Sequence, residues 1–440
     1  MKVIPSKVAE VLKEHGLEKT CDVGNPINTD DDLADSFFRA GWDLALETGL
    51  LYTNTERIIK VEEEELRNAM REYEEDVCIG APGTQDAVVV KHRKLEDVYP
   101  LVNICGALGN TVTEDMHIPI LMSFAQHRET DTLIGGLTTT SYGLTTKVGE
   151  PTDYYQGIVM AHDQREAARR VNRPGIAISV VGLCGTPIGM AAMFPEVQRG
   201  DFSSQPAISE LKVSSSELIR VAMCLRLGLV DKAFHHPMIG GYAGGPEGAA
   251  VMRVASSLLL VAVYQTPWTD STCTDVRYVG ANTSREAVWA NSVSCQALAK
   301  NVGCVTGGLS RPVAGPGTRM LLYESAVAAL NETTSGASSL FGPNIQTPFP
   351  NYLSGLEAKF SSHLTRTLCK TRFKREDAND IAKKLIPKYE DRLKNPPKGK
   401  PFQECMNIKT LKPTKEWRDI YLEVERELID LGIPLCTRVQ

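Results

Sequence analysis

From Tyr99 onward, short unbroken apolar runs alternate with longer segments whose apolar positions recur at helical spacing. Runs at 101–105, 132–137, 175–181, 208–213, 233–239, 274–279, 302–309 and 336–341 read as strands. Between and after them, 114–129, 154–171, 189–197, 216–229, 249–263, 284–301, 319–330 and 355–368 read as helices. Uninterrupted apolar strands followed by amphipathic helices are what a parallel sheet covered by its own crossovers produces.

Eight strand–helix units within about 270 residues approach the ~250 of a (β/α)8 TIM barrel. An open doubly wound sheet alternates in the same way, but no GxGxxG follows the first strand. The fold class expected is therefore an α/β TIM barrel over 99–370. An N-terminal flanking segment, 1–98, carries helices at 6–15, 33–48 and 62–75 and a strand at 87–92. A C-terminal helical extension, 371–440, opens where charge rises abruptly, passes a proline-rich linker at 395–401 and ends in a helix at 416–431. Its basic run reads as a solvated helix face.

The totals narrow the class. A chain of 440 residues with 42% hydrophobic and 23% charged content has the balance of a globular protein, and a net charge of -6 argues against nucleic acid as a partner. Eleven scattered cysteines form no CxxC pair and no zinc-spaced cluster, so reduced thiols and no metal are expected. No signal-like apolar run opens the chain, and no window approaches the ~20 apolar residues of a membrane span, so a cytoplasmic, unanchored protein is expected.

In a barrel, chemistry gathers at the carboxyl ends of the strands. The stretch 235–247 places two histidines ahead of a loop in which Gly240, Gly241, Gly244 and Gly245 surround Tyr242, and such glycines let a backbone approach a cofactor closely. The catalytic candidates are Ser179, His235, His236 and Arg311; Cys184, Tyr242, Asp275 and Arg277 are substrate-binding candidates. Histidine exchanges protons near neutral pH, and arginine clamps an oxyanion through two N–H groups. Side chains alternate along a strand, so only one of His235 and His236 can look into the barrel. Each candidate also has a plain structural reading: Cys184 as a small core residue, Asp275 and Arg277 as an ion pair, Ser179 as filler. Gly315-Pro316-Gly317-Thr318 opens a helix and offers a weak anion site.

Several stretches carry a resemblance: Asn28-Thr29-Asp30, Tyr52-Thr53-Asn54-Thr55-Glu56-Arg57-Ile58, Gly240-Gly241-Tyr242-Ala243-Gly244-Gly245, Asn282-Thr283, Ala314-Gly315-Pro316, and Gly399-Lys400-Pro401-Phe402-Gln403-Glu404-Cys405. Together they resemble the monomethylamine:corrinoid methyltransferase family of methylotrophic methanogens, from about residue 28 to Leu431. The resemblance implies a (β/α)8 barrel and a homo-oligomer. It implies methyl transfer from methylamine to cob(I)alamin carried by a separate cognate corrinoid protein, with no cofactor held tightly by this chain. It also implies pyrrolysine six residues after the arginine of an Arg-Pro-Gly motif; here Arg173-Pro174-Gly175 leads to Ser179. The family's glutamate falls on Phe234, its glutamine near Leu309, and a further glutamate within 200–205.

A serine cannot form the imine adduct through which pyrrolysine is implied to hold methylamine. Two functions follow. The first is a pyrrolysine-free methyltransferase acting on a small methylated donor, whether methylamine-like, a betaine, a sulfonium or a methoxy compound. For a methoxy donor, His235 or His236 would protonate the leaving oxygen; for a cationic donor, Tyr242 and Tyr278 are the nearest aromatics. The second is a non-catalytic relative that binds or regulates a corrinoid protein.

Overall fold

Eight parallel strands stand in sequence order around one ring: β1 (Val102–Ile104), β2 (Thr132–Leu133), β3 (Ala177–Val180), β4 (Phe202–Pro206), β5 (Val230–Phe234), β6 (Trp268–Thr269), β7 (Val305–Leu309) and β8 (Ser339–Phe341). The seam between β1 and β2 is closed by Ile134 N–H donating to Cys105 O (2.9 Å) and Ala107 N–H to Ile134 O (2.8 Å). The structure, a computed structural model, describes residues 3–73, 76–181 and 186–435. The strands are followed in turn by α1 (Glu114–Ala125), α2 (Pro151–Arg170), α3 (Pro187–Met193), α4 (Ser215–Leu227), α5 (Pro246–Tyr264), α6 (Arg285–Asn301), α7 (Arg319–Thr334) and α8 (Gly355–Lys370). The protein is thus the TIM barrel that the alternation predicts.

Three strands lie earlier than the apolar pattern predicts. The expected strand 208–213 is instead β4, at Phe202–Pro206. The expected 233–239 and 274–279 are β5 at Val230–Phe234 and β6 at Trp268–Thr269. The apolar runs belong to extensions outside the barrel: Lys212–Val213 pairs with Leu50–Tyr52 of the N-terminal segment, and Met238–Ile239 pairs with Thr274–Asp275 above the strand ends.

The lower end of the barrel is sealed. A hairpin of Val77–Ile79 and Val88–Val90 packs into the same apolar cluster as Val102, Ile104, Phe202, Trp268, Val305 and Phe341. Gly80 N–H donates to Gly200 O and Ala81 N–H to Gly175 O, pinning the hairpin beneath β3 and β4. A ligand therefore enters from the other end.

Helix α5, 19 residues long, is apolar enough to cross a membrane, yet it is 83% buried between the helix Asp31–Thr48 and α6, as a core helix is. The C-terminal helices add Trp417, Tyr421, Val424 and Leu428 to one cluster with Leu321, Leu322 and Leu364 of the barrel wall.

Candidate active site

Alternation along β5 turns Val230, Lys232 and Phe234 inward and leaves Asp231 and Ala233 on the helix side. Lys232 is buried. Its ammonium sits 3.1 Å from Asp270, just past β6, and over the rings of Phe234 (5.3 Å) and Phe341 (5.9 Å). Asp270 is in turn held by Trp268 Nε1–H (2.9 Å) and by the hydroxyl of Ser339 (2.6 Å), both donating to its Oδ1. One carboxylate and two aromatic faces thus form a box whose occupant is the protein's own ammonium.

The same alternation carries on past β5 and separates the two histidines. His236 is half-buried, with its ring 5.3 Å from that of the inward-facing Phe234. His235 points the other way, fully buried, and neither ring nitrogen has a hydrogen-bond partner among the described residues. Burial, with Lys212 nearby, pushes His235 down to about 3. Burial, then the Arg311 cation and His235, hold His236 well below the usual imidazole value. Both rings are neutral near pH 7.

Ser179 on β3 is buried and donates to Ser204 Oγ of β4 at 3.2 Å. Arg311 continues the inward series of Val305, Gly307 and Leu309 on β7. Its Nε–H donates to Gly280 O (3.0 Å) and its Nη2 to Gln346 Oε1 (2.6 Å), tying together the loops after β6 and β8. Burial pushes the guanidinium down to about 10. The loop carrying Arg311 is fixed from below by Glu324 of α7, which accepts from the backbone N–H groups of Val313 (3.1 Å) and Ala314 (3.0 Å).

The other candidates sit apart from this cluster. Asp275 and Arg277, expected within the sixth strand, lie in the loop beyond it as a bidentate pair of 2.9 and 2.6 Å, with Glu286 3.1 Å from the same guanidinium. Tyr242 is partly exposed beneath the Lys212 ammonium, 5.2 Å from its ring centre. Cys184 lies outside the described residues. The loop of Gly240, Gly241, Gly244 and Gly245 folds on itself, Gly240 N–H donating to Gly244 O, with both residues at positive φ (88° and 77°). It wraps the buried carboxylate of Glu210, which accepts from Met238 N–H (2.9 Å) and from the backbone N–H groups of Tyr242 and Ala243. These loop amides serve an internal anion.

Lys232, Asp270, Ser204, Glu210 and Gln346 escape a search for apolar strands. Lys232 precedes the expected strand 233–239 and Asp270 precedes 274–279, so both fall outside the apolar runs.

The sequence profile of monomethylamine methyltransferase MtmB matches residues 1–433. The chain belongs to this family. MtmB of Methanosarcina mazei is 27% identical across 98% of this chain and 93% of the relative. MtmB2 of Methanosarcina acetivorans is 28% identical with the same coverage. The crystal structure of Methanosarcina barkeri MtmB matches with a TM-score of 0.91 at 27% identity, covering 98% of this chain and 93% of that one. A hydroxylamine complex of MtmB matches with the same TM-score, 0.91. In this MtmB-family methyltransferase, Ser179, Ser204, Phe234 and Leu309 all turn inward on β3, β4, β5 and β7. The resemblance places family side chains at Ser179 and Phe234, near Leu309, and within 200–205, the range that holds Ser204. Phe194 packs outside the barrel, against Met160 and Met190, and does not plug its interior.

Proposed function

We propose that this chain moves a methyl group from a small methylated donor to the cobalt of a corrinoid carried by a separate cognate protein, and does so without pyrrolysine. The observation that carries this reading is that Ser179, Ser204, His236 and Arg311 all face the interior of a family barrel. The corrinoid, as the partner's cargo, is the methyl acceptor and hence a substrate.

The rim suits a docking partner. Tyr142, Val148 and Val279 are 62%, 66% and 78% exposed, and with Leu144, Ile188 and Phe349 they stand on loops or helix starts that follow strands. Exposed large apolar side chains gathered on one face mark an interaction surface.

The chemistry favours donors that need no proton. His236 is neutral near pH 7 because burial and Arg311 disfavour its charged form, so it is a weak general acid. A quaternary ammonium or sulfonium donor releases its methyl group while the bonding electrons stay on nitrogen or sulfur, and the leaving group departs neutral. Ser179, Ser204 and His236 would then orient the donor and exclude water. Within the same reading the protein is cytoplasmic and works as a homo-oligomer; light scattering of the purified chain tests the second point.

A second reading is a non-catalytic relative that keeps only the docking face. Phe234 and Leu309 favour it, since both put apolar groups where the resemblance implies a glutamate and a glutamine. Incubation with cob(I)alamin and a panel of methylamines, betaines, sulfonium and methoxy compounds decides between them, because methylcobalamin forms only under the first.

A further inference from the structure

We propose that Arg311 receives a carboxylate on the methyl donor, so that the site takes a small methylated acid or zwitterion rather than a bare methylammonium cation. This rests on the methyl-transfer reading of the same site and names its substrate class.

The argument begins with what surrounds the guanidinium. Its two hydrogen bonds go to neutral acceptors, Gly280 O and Gln346 Oε1. Among the described residues, Arg311 makes no ion pair with an aspartate or glutamate, and its side-chain hydrogen bonds run from Nε and Nη2, none from Nη1. A half-buried guanidinium left without a counter-ion is costly, and arginines so placed are normally paired. One edge of its planar fork remains free, the geometry that matches a carboxylate through two parallel N–H donors.

The side chain is also held still. Gln346 is fixed by donating its Nε2–H to Asn344 O (2.8 Å) and Oδ1 (3.1 Å), and the backbone N–H of Arg311 donates to Asn282 Oδ1 (2.9 Å). An arginine anchored through three loops pays little entropy on binding a planar anion.

The charges around it point the same way. The box that would suit an alkylammonium ion, made by Asp270, Phe234 and Phe341, already holds the Lys232 ammonium. Lys232 and Asp270 offset each other and His236 is neutral, so among these inward-facing groups Arg311 is the charge left without an opposite neighbour. A bare methylammonium ion would be repelled there; a carboxylate would be drawn in.

The test compares matched pairs by calorimetry on the full chain. Glycine betaine and tetramethylammonium share an onium group and differ in the carboxylate; methoxyacetate and 2-methoxyethanol share a methoxy group. The expected result is that the carboxylate member of each pair binds at least about tenfold more tightly. Arg311→Gln should erase that difference and Arg311→Lys should retain part of it, with unfolding midpoints of the variants recorded alongside. Equal binding within pairs, no binding of either member, or a preference that survives Arg311→Gln would overturn the proposal. So would an Arg311→Gln defect confined to docking of the corrinoid protein. Carboxylate preference without methyl transfer from any donor would sink the proposed function and leave this assignment standing; methyl transfer from methylammonium without carboxylate preference would do the reverse.

Discussion

Lys232 on β5 and Asp270 just past β6 meet 3.1 Å apart inside the barrel, both shut off from solvent. Desolvating two charges is compensated only when both are present and the remaining donors are satisfied, as Trp268 and Ser339 do for Asp270. Lys232→Met and Asp270→Asn should therefore each cost about 3–5 kcal/mol, because each leaves the other group alone in a low dielectric. The double variant should lose clearly less than the sum. Urea unfolding of the four proteins measures the coupling; additive losses would show that the pair is not coupled.

The two histidines should separate by function. His236→Ala removes an inward ring beside Arg311 and should lower kcat/KM for methyl transfer by about 10²-fold, the loss expected when a group that orients the donor is removed. His235→Leu should leave turnover within about threefold and, since its ring nitrogens are unpartnered, alter stability by less than about 1.5 kcal/mol at pH 7. Steady-state kinetics of both variants check this, and equal losses would contradict the alternation along β5.

His235 also predicts a pH dependence. Folded, it titrates at about 3; unfolded, near 6.5. Between those values the unfolded chain binds more protons, so this residue's contribution to stability falls as pH drops through that window. His235→Leu removes the loss, and its stability relative to wild type should rise on going from pH 7 to pH 5. Asp231 and Glu324, pushed up to about 7 by burial, act in the opposite direction but are common to both proteins. Urea midpoints at the two pH values decide it; a constant difference would contradict the buried, neutral ring.

The glycine loop should depend on Glu210. Glu210→Ala removes the acceptor for Met238 N–H, and leaving buried backbone donors unpaired costs about 1–3 kcal/mol each. The expected signature is faster proteolysis within Gly240–Gly245, with the rest of the barrel intact. Unchanged cleavage would mean that the loop holds its shape without the carboxylate.

The alternation of elements was legible in the chain because five barrel strands and all eight helices lie within a few residues of the apolar segments that predict them. Strands β4 and β5 differ from the apolar pattern because they are polar, and β6 because it is short and followed at once by Asp270. Phe202–Pro206 and Val230–Phe234 carry Ser203, Ser204, Gln205, Asp231 and Lys232, and Trp268–Thr269 is only two residues long. Strands that carry polar side chains on the barrel side (Ser204, Lys232) and on the helix side (Ser203, Gln205, Asp231) break the rule that buried parallel strands are continuously apolar. The apolar runs mistaken for them form the sheet extensions around Lys212–Val213 and Thr274–Asp275. Ser179 and Arg311 lie at strand ends as expected because β3 and β7 follow the apolar pattern, and His235 and His236 face opposite ways because side chains alternate beyond β5. Lys232 and Asp270 were not legible, since their proximity arises only from strand register.

The central claim is that this barrel delivers methyl groups without pyrrolysine. Conversion of cob(I)alamin to methylcobalamin, followed spectroscopically with the purified chain and the donor panel, tests it most directly. The account predicts turnover with at least one donor whose leaving group departs neutral, abolished by omitting the chain. No methylcobalamin from any donor, with the chain folded, would contradict it.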